Sequence, residues 1–250
     1  MTPASAVGAR PRDLLVVAAV ALALRLAVVA WAAPRVGLTG DATLYEPLAL
    51  RLASGLGYTW AWPGGEVTYV AHYPVGYPAL VAVAYALGVG RTGAMVLNAL
   101  FGAGAAVGAC ALAGRASSRR GLVAGLLVGV HPGLVFYTPA LMTETVAGAL
   151  LVGAACVAGS RRADGRAGGS VAVGIVLGAA TLVRPASLLF APLFGAWPGR
   201  ARPRRAALGA ALATAFALSV CAPWTARNCE RMHRCALVSL NGGWNLLIGT

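Results

Sequence analysis

Lysine is absent from this 250-residue chain, charged residues of every kind make up 11% of it, and only seven side chains are acidic. A soluble domain carries about 25% charged residues. With 59% hydrophobic residues and a mean hydropathy of +0.75, the composition leaves little room for a water-soluble globule. The five cysteines are too few and too scattered for a disulfide framework. Cys110, Cys156 and Cys221 fall inside apolar stretches and read as buried free thiols, and only Cys229 and Cys235 are placed to pair, across a small external loop. No Walker loop, strand-linked GxGxxG motif, HExxH zinc site or GxSxG nucleophile elbow occurs, so nucleotide-dependent chemistry has no visible support.

What is present is apolar length. Runs of about 15 to 22 residues recur from end to end, each close to the thickness of a bilayer. The chain reads as an all-α integral membrane protein. Its net charge of +13 comes from 20 arginines, most of them clustered between the apolar runs. That is the pattern of cytoplasmic loops rather than of a nucleic-acid surface, and no nucleic-acid partner is expected.

Arg10 and Arg12 precede the first run, Leu14 to Ala33, and put the N-terminus in the cytoplasm. A cleaved signal peptide ending near Trp31, Ala32 and Ala33 is the rival reading, but Arg25 interrupts the run and its length suits a retained anchor. Arg25 is expected to face other helices and is assigned no chemistry. The clusters Arg115, Arg119 and Arg120, then Arg161, Arg162 and Arg166, then Arg200, Arg202, Arg204 and Arg205 read as cytoplasmic. Between the first two, the runs Gly121 to Tyr137 and Thr145 to Gly159 form a hairpin whose turn, His131 to Glu144, faces outside. The stretch Gly168 to Trp197 breaks at Arg184 and Pro185 into two short spans, with Arg184 at the outer surface. Of Val75 to Gly90 and Thr92 to Gly114 only one can cross, and the shorter, proline-opened first run is assigned to the outer interface. The last span, Ala206 to Ala222, leaves Pro223 to Thr250 outside. The expectation is about seven transmembrane helices plus external juxtamembrane helices, in one module covering residues 1–250, with a first external loop at 34–91.

Asp41, Glu144 and Arg184 thereby share one membrane face. Asp41 precedes a short amphipathic helix whose Leu44, Leu48 and Leu52 lie on the bilayer, with Tyr45, Glu46 and Arg51 elsewhere and Gly55 and Gly57 ending it. Its carboxylate suits either a helix cap or a general base. Glu144 suits a helix-start acid, an acceptor contact or, with Asp41, a divalent-cation ligand. Arg184 suits lipid-phosphate binding through its planar guanidinium. His72 and His131 read as structural, and Trp60, Trp62, Tyr69, Tyr73 and Tyr77 as an interfacial belt before a sugar platform.

Several strings then stand in a familiar order: Gly40-Asp41 with Tyr45, Gly55-Leu56-Gly57-Tyr58, His72-Tyr73-Pro74-Val75-Gly76-Tyr77-Pro78, Thr143-Glu144, Leu182-Val183-Arg184-Pro185, Pro223-Trp224-Thr225-Ala226-Arg227-Asn228, and Ser239 to Gly249. Taken together they resemble the GT-C glycosyltransferases of the protein O-mannosyltransferase and lipid A aminoarabinose transferase type. The resemblance implies a GT-C-like fold in a bacterial-type plasma membrane with an external active site. It implies transfer of a sugar from a polyprenyl-phosphate carrier to a protein, lipid or glycan acceptor, with the anomeric centre usually inverted. By this resemblance Asp41 is catalytic, Glu144 a second or acceptor-binding acid and Arg184 the donor-phosphate ligand. Tyr45, His72, Tyr73, Arg227 and Asn228 are further candidates for substrate binding. No cofactor is implied beyond an optional divalent cation. Two departures stand out: Asp41 lies between Gly40 and Ala42 where many relatives carry paired acids, and relatives continue past Thr250, which suggests a truncated member. The readings from other classes are a transporter or lipid-handling protein and a non-catalytic membrane subunit.

Overall fold

Proline marks where the first helix starts. Pro11 opens α1 (Pro11–Ala32), where its missing N–H removes no intrahelical bond, and Asp13 in the first turn faces the positive end of the helix dipole. The computed structural model describes residues 8–160, 167–233 and 235–241. The Arg161, Arg162 and Arg166 cluster and the Gly242 to Gly249 part of the last string lie outside the described residues.

The described residues are mostly helical. After α1 come α2 (Ala42–Ala53), a two-stranded ribbon of β1 (Thr59–Ala61) and β2 (Val67–Tyr69), α3 (Gly76–Ala86), α4 (Gly90–Gly114), α5 (Ser118–Val130), α6 (Pro132–Phe136), α7 (Thr143–Ala158), α8 (Ala167–Val183), α9 (Phe190–Ala196) and α10 (Pro203–Met232). Three helices, α1, α4 and α10, are long and apolar enough to cross a membrane, and α3, α7 and α8 are shorter apolar helices. The 11 residues of α3 cover only about 16 Å, half of a hydrocarbon core.

The antiparallel ribbon, which pairs Thr59 with Tyr69 and Ala61 with Val67, was not foreseen between α2 and α3. Its turn closes through Gly65, which donates to the Trp62 carbonyl from a left-handed φ of 85°.

Four expectations meet the structure with differences. The turn expected from His131 does begin there, but it divides the apolar run Gly121 to Tyr137, because α5 ends at Val130 and Pro132 starts a separate short helix. Buried Arg25 accounts for how this ending is tolerated: its Nη1 donates to the Gly129 carbonyl at 2.8 Å and its Nη2 to the Val128 carbonyl at 3.4 Å. A guanidinium thus satisfies helix-end acceptors that lack intrahelical donors, and its charge suits the negative end of the dipole. Second, the last helix does not stop before Pro223 but runs on to Met232, where Trp224, Arg227 and Asn228 find partners in other segments. Third, α2 buries Tyr45 and Glu46 beside Leu48 and Ala49, so its buried face is turned from the expected leucine stripe. Glu46 is held there by Arg91 and Tyr85. Fourth, Cys156 is half-buried, whereas Cys110 and Cys221 are buried as expected, and all three are free.

The second half of the Gly168 to Trp197 run is helical but irregular. Short 3₁₀ segments, Pro185–Leu189 and Trp197–Gly199, flank the seven-residue α9, which itself contains Pro192. Prolines remove donors from the ladder, and the greater rise of the 3₁₀ form lets these residues extend over about 26 Å. Close backbone contact sets α8 against α10: a Cβ on Gly174 would lie 2.5 Å from the Ala213 oxygen, and one on Gly178 would lie 2.9 Å from that of Ala217. Small residues permit this approach.

Candidate functional site

Asp41 stands at the entry to α2, directly after Gly40, whose φ of 55° turns the chain. The sequence allowed a cap there, but Asp41 has helical backbone angles (φ −63°, ψ −18°) and its carboxylate makes no capping hydrogen bond. An N-cap side chain reaches back from an extended residue. Here the two carboxylate oxygens instead meet tyrosine: the Tyr45 hydroxyl donates to Oδ2 at 3.4 Å and the Tyr73 hydroxyl to Oδ1 at 3.4 Å. Burial, and then the Asp41 charge, push both phenols above the ordinary tyrosine range, so both stay protonated donors at neutral pH.

The tyrosines are fixed by packing. The Tyr45 ring meets the Tyr73 ring edge-on at 5.3 Å and the Tyr77 ring at 5.5 Å, and His72 stands edge-on to Tyr73 at 4.8 Å. Tyr77 is buried rather than interfacial and shares a hydrogen bond with Asn98 of α4.

Glu144 lies in the first turn of α7, and Arg184 in the extended break between α8 and the following 3₁₀ turn. The two meet: Arg184 Nη1 donates to Glu144 Oε1 at 2.8 Å, with both side chains about half exposed. Asp41, Glu144 and Arg184, from three separate elements, line one cavity of about 540 Å³ together with Tyr45, His72 and Tyr73. Glu144 also borders a second, apolar cavity of about 220 Å³ that reaches Arg25 between α1, α4, α5 and α7.

Asn98 anchors the segment that precedes α7, and the sequence reading passed over it. Buried in α4, its Nδ2 donates to the Thr138 and Ala140 carbonyls at 3.1 and 2.8 Å, fixing the segment that leads into α7. An amide in the middle of an apolar run was the available signal. Ser239 and Asn241, which open the last of the ordered strings, also line the larger cavity, although neither was among the substrate-binding candidates. The tail returns to the site because a Cys229–Cys235 disulfide reverses the chain, and the Leu240 amide then donates to the Ala71 carbonyl at 2.8 Å.

Arg227 and Asn228, both candidates for substrate binding, do not line this cavity. The Arg227 guanidinium donates to the Val70 and Tyr58 carbonyls at 2.8 Å each and stacks 4.8 Å from the Trp224 ring. Asn228 is buried and donates to the Ala236 and Val238 carbonyls. Their groups are committed to holding the segment between α2 and α3, the last helix and the tail together.

Among the described residues no group of three or more His, Cys, Asp or Glu side chains gathers in a way that suits a metal ion. Asp41 and Glu144 are the carboxylates that line the cavity, and Glu144 is paired with Arg184. In chemical terms the cavity offers a carboxylate with free acceptor capacity, a guanidinium able to take an anion and aromatic walls. Comparisons with protein-family models, with curated proteins and with solved structures find nothing that matches this chain.

Proposed function

We propose that this chain is a multi-pass membrane glycosyltransferase of the GT-C type that moves a sugar from a polyprenyl-phosphate donor to an acceptor hydroxyl at the outer membrane face. The observation that carries the reading is the meeting of Asp41, Glu144 and Arg184 in one polar cavity bordered by apolar helices. An apolar space adjoins it at Glu144, as an amphiphilic substrate requires. The order of motifs in the sequence supports the same assignment.

In this mechanism Arg184 binds the donor phosphate and stabilises the negative charge that grows on it as it leaves. Asp41 takes the proton from the acceptor hydroxyl, the acceptor oxygen bonds to the anomeric carbon, and the bond from that carbon to the phosphate oxygen breaks with its electron pair going to the phosphate. Tyr45 and Tyr73 orient the base and leave it acceptor positions for the incoming hydroxyl, since a carboxylate offers about four lone-pair sites. Binding donor and acceptor in one cavity converts a bimolecular encounter into an oriented one.

The test is sugar transfer from a labelled polyprenyl-phosphate hexose in membranes containing the chain. Wild type should transfer, Asp41→Asn should abolish turnover, and Arg184→Ala should chiefly weaken donor use. An inert wild type, or Asp41→Asn with full turnover, overturns the reading and favours a non-catalytic subunit.

A further inference from the structure

Arg184 is the guanidinium proposed to take the donor phosphate, yet in the protein without substrate it is already paired. Its Nη1 holds Glu144 Oε1 at 2.8 Å, inside the cavity that Asp41 lines. Both partners are about half exposed, so the pair is one that solvent and solutes reach and that contributes little to the fold. Glu144 also has other neighbours. The Thr143 hydroxyl lies 3.5 Å from Oε2, and Tyr137 faces the adjoining apolar cavity with it.

We propose that Glu144 is an intramolecular stand-in for the donor phosphate: it occupies Arg184 until a lipid phosphate displaces it, and the displaced carboxylate is then released into the cavity that holds Asp41. This rests on the glycosyltransferase reading and extends it to the order of events. The donor phosphate is a diester with one negative charge, as the carboxylate has, but it presents two anionic oxygens to a guanidinium that Glu144 engages through one oxygen and one N–H, and the monoester left after transfer carries more charge still, so the exchange favours the phosphate. Before donor binding, Glu144 is neutralised by Arg184 and is poorly suited to polarise an acceptor. After donor binding it is an unpaired acid. The second carboxylate becomes available only when a lipid phosphate occupies Arg184, which limits use of the empty site.

The exchange predicts an unusual direction of effect, because removing a charged residue that lines the site should tighten binding. Farnesyl phosphate is titrated into the full chain in maltoside micelles, which carry no phosphate of their own, with inorganic phosphate as a parallel titrant. Glu144→Gln should bind farnesyl phosphate about two- to fivefold more tightly than wild type, the equivalent of one exposed ion pair. Glu144→Ala, which leaves no amide to occupy Arg184, should do at least as well. Arg184→Ala should bind about tenfold or more weakly, and adding Glu144→Gln to it should restore nothing.

Weaker or unchanged binding by both Glu144 variants, with Arg184→Ala still weak, overturns the stand-in while leaving the phosphate site intact. Equal tightening with and without Arg184 also overturns it, since plain charge repulsion then accounts for the effect. Undiminished binding by Arg184→Ala overturns the donor reading itself. Farnesyl phosphate binding at least tenfold tighter than inorganic phosphate supports a lipid phosphate as the occupant, and equal affinities overturn that assignment.

Discussion

The Arg91 guanidinium grips the Glu46 carboxylate through two hydrogen bonds of 2.8 Å, from Nε to Oε1 and from Nη2 to Oε2. The Tyr85 hydroxyl donates to the same Oε1. This joins α2, which Asp41 precedes, to the ends of α3 and α4. Burial alone would raise the Glu46 pKa, but the hydrogen bonds from Arg91 and Tyr85 outweigh it and hold the carboxyl below its ordinary value.

The sign of the pH dependence follows from that depression. A carboxyl with a lowered folded-state pKa contributes stability that is present above its unfolded pKa and is lost as pH falls through the folded one. Thermal unfolding in detergent should therefore drop in wild type as pH falls below about 4.5, the ordinary carboxylate value. Glu46→Gln should be less stable at pH 7 and lose less over the acid window. A variant whose acid sensitivity equals that of wild type would remove Glu46 from this role.

Asn98→Leu should destabilise the protein by about 1–3 kcal/mol, because it leaves the Thr138 and Ala140 carbonyls and the Tyr77 hydroxyl without their buried partner. The same variant should lower sugar transfer through the segment leading to Glu144. A melting temperature and activity equal to wild type would count against this account.

Gly76 lies against the last turn of α8, where a Cβ would be 2.6 Å from the Leu182 carbonyl carbon and 2.7 Å from its oxygen. Gly76→Ala should force α3 away from the backbone just before Arg184, at a cost of about 1–3 kcal/mol. Farnesyl phosphate affinity should fall with it. Unaltered melting would show that the two helices part without cost.

Tyr73→Phe removes one donor from Asp41 while keeping the ring that packs on Tyr45. Turnover should fall about three- to tenfold with little change in melting, since the bond at 3.4 Å is long. Tyr73→Phe with wild-type turnover would leave the tyrosine a packing role only.

Alkylation of the unfolded chain should modify three cysteines without reduction, Cys110, Cys156 and Cys221, and all five after it. Cys229→Ser should loosen the tail that brings Ser239 and Asn241 to the cavity, seen as faster proteolysis beyond Met232. Five modified cysteines without reduction would exclude the bridge.

Local character was legible in the chain itself. Apolar length, arginine clusters and the scarcity of acids are properties of composition and short-range order, and they sufficed for a mostly helical architecture with membrane-length helices and for a short set of chemical candidates. Gly55 was placed correctly at the end of α2, because its left-handed φ of 72° is a local backbone demand. Asp41 and Glu144 were singled out because carboxylates are few, and Arg184 because it breaks an apolar stretch apart from the arginine clusters.

Partnership was decided only by tertiary structure. Whether Asp41 caps a helix or faces two tyrosines depends on Tyr73, 32 residues away, and whether Arg184 is free or paired depends on Glu144, 40 residues away. The same holds for Arg25, whose donors end α5 more than a hundred residues later, and for Arg227, whose motif suggested a ligand but whose donors serve backbone carbonyls. Residue type and hydrophobic period report what one segment does toward water or lipid. Which buried donor meets which acceptor is set by how segments distant in the chain pack, and a buried polar group must find its partner there because none is supplied by solvent.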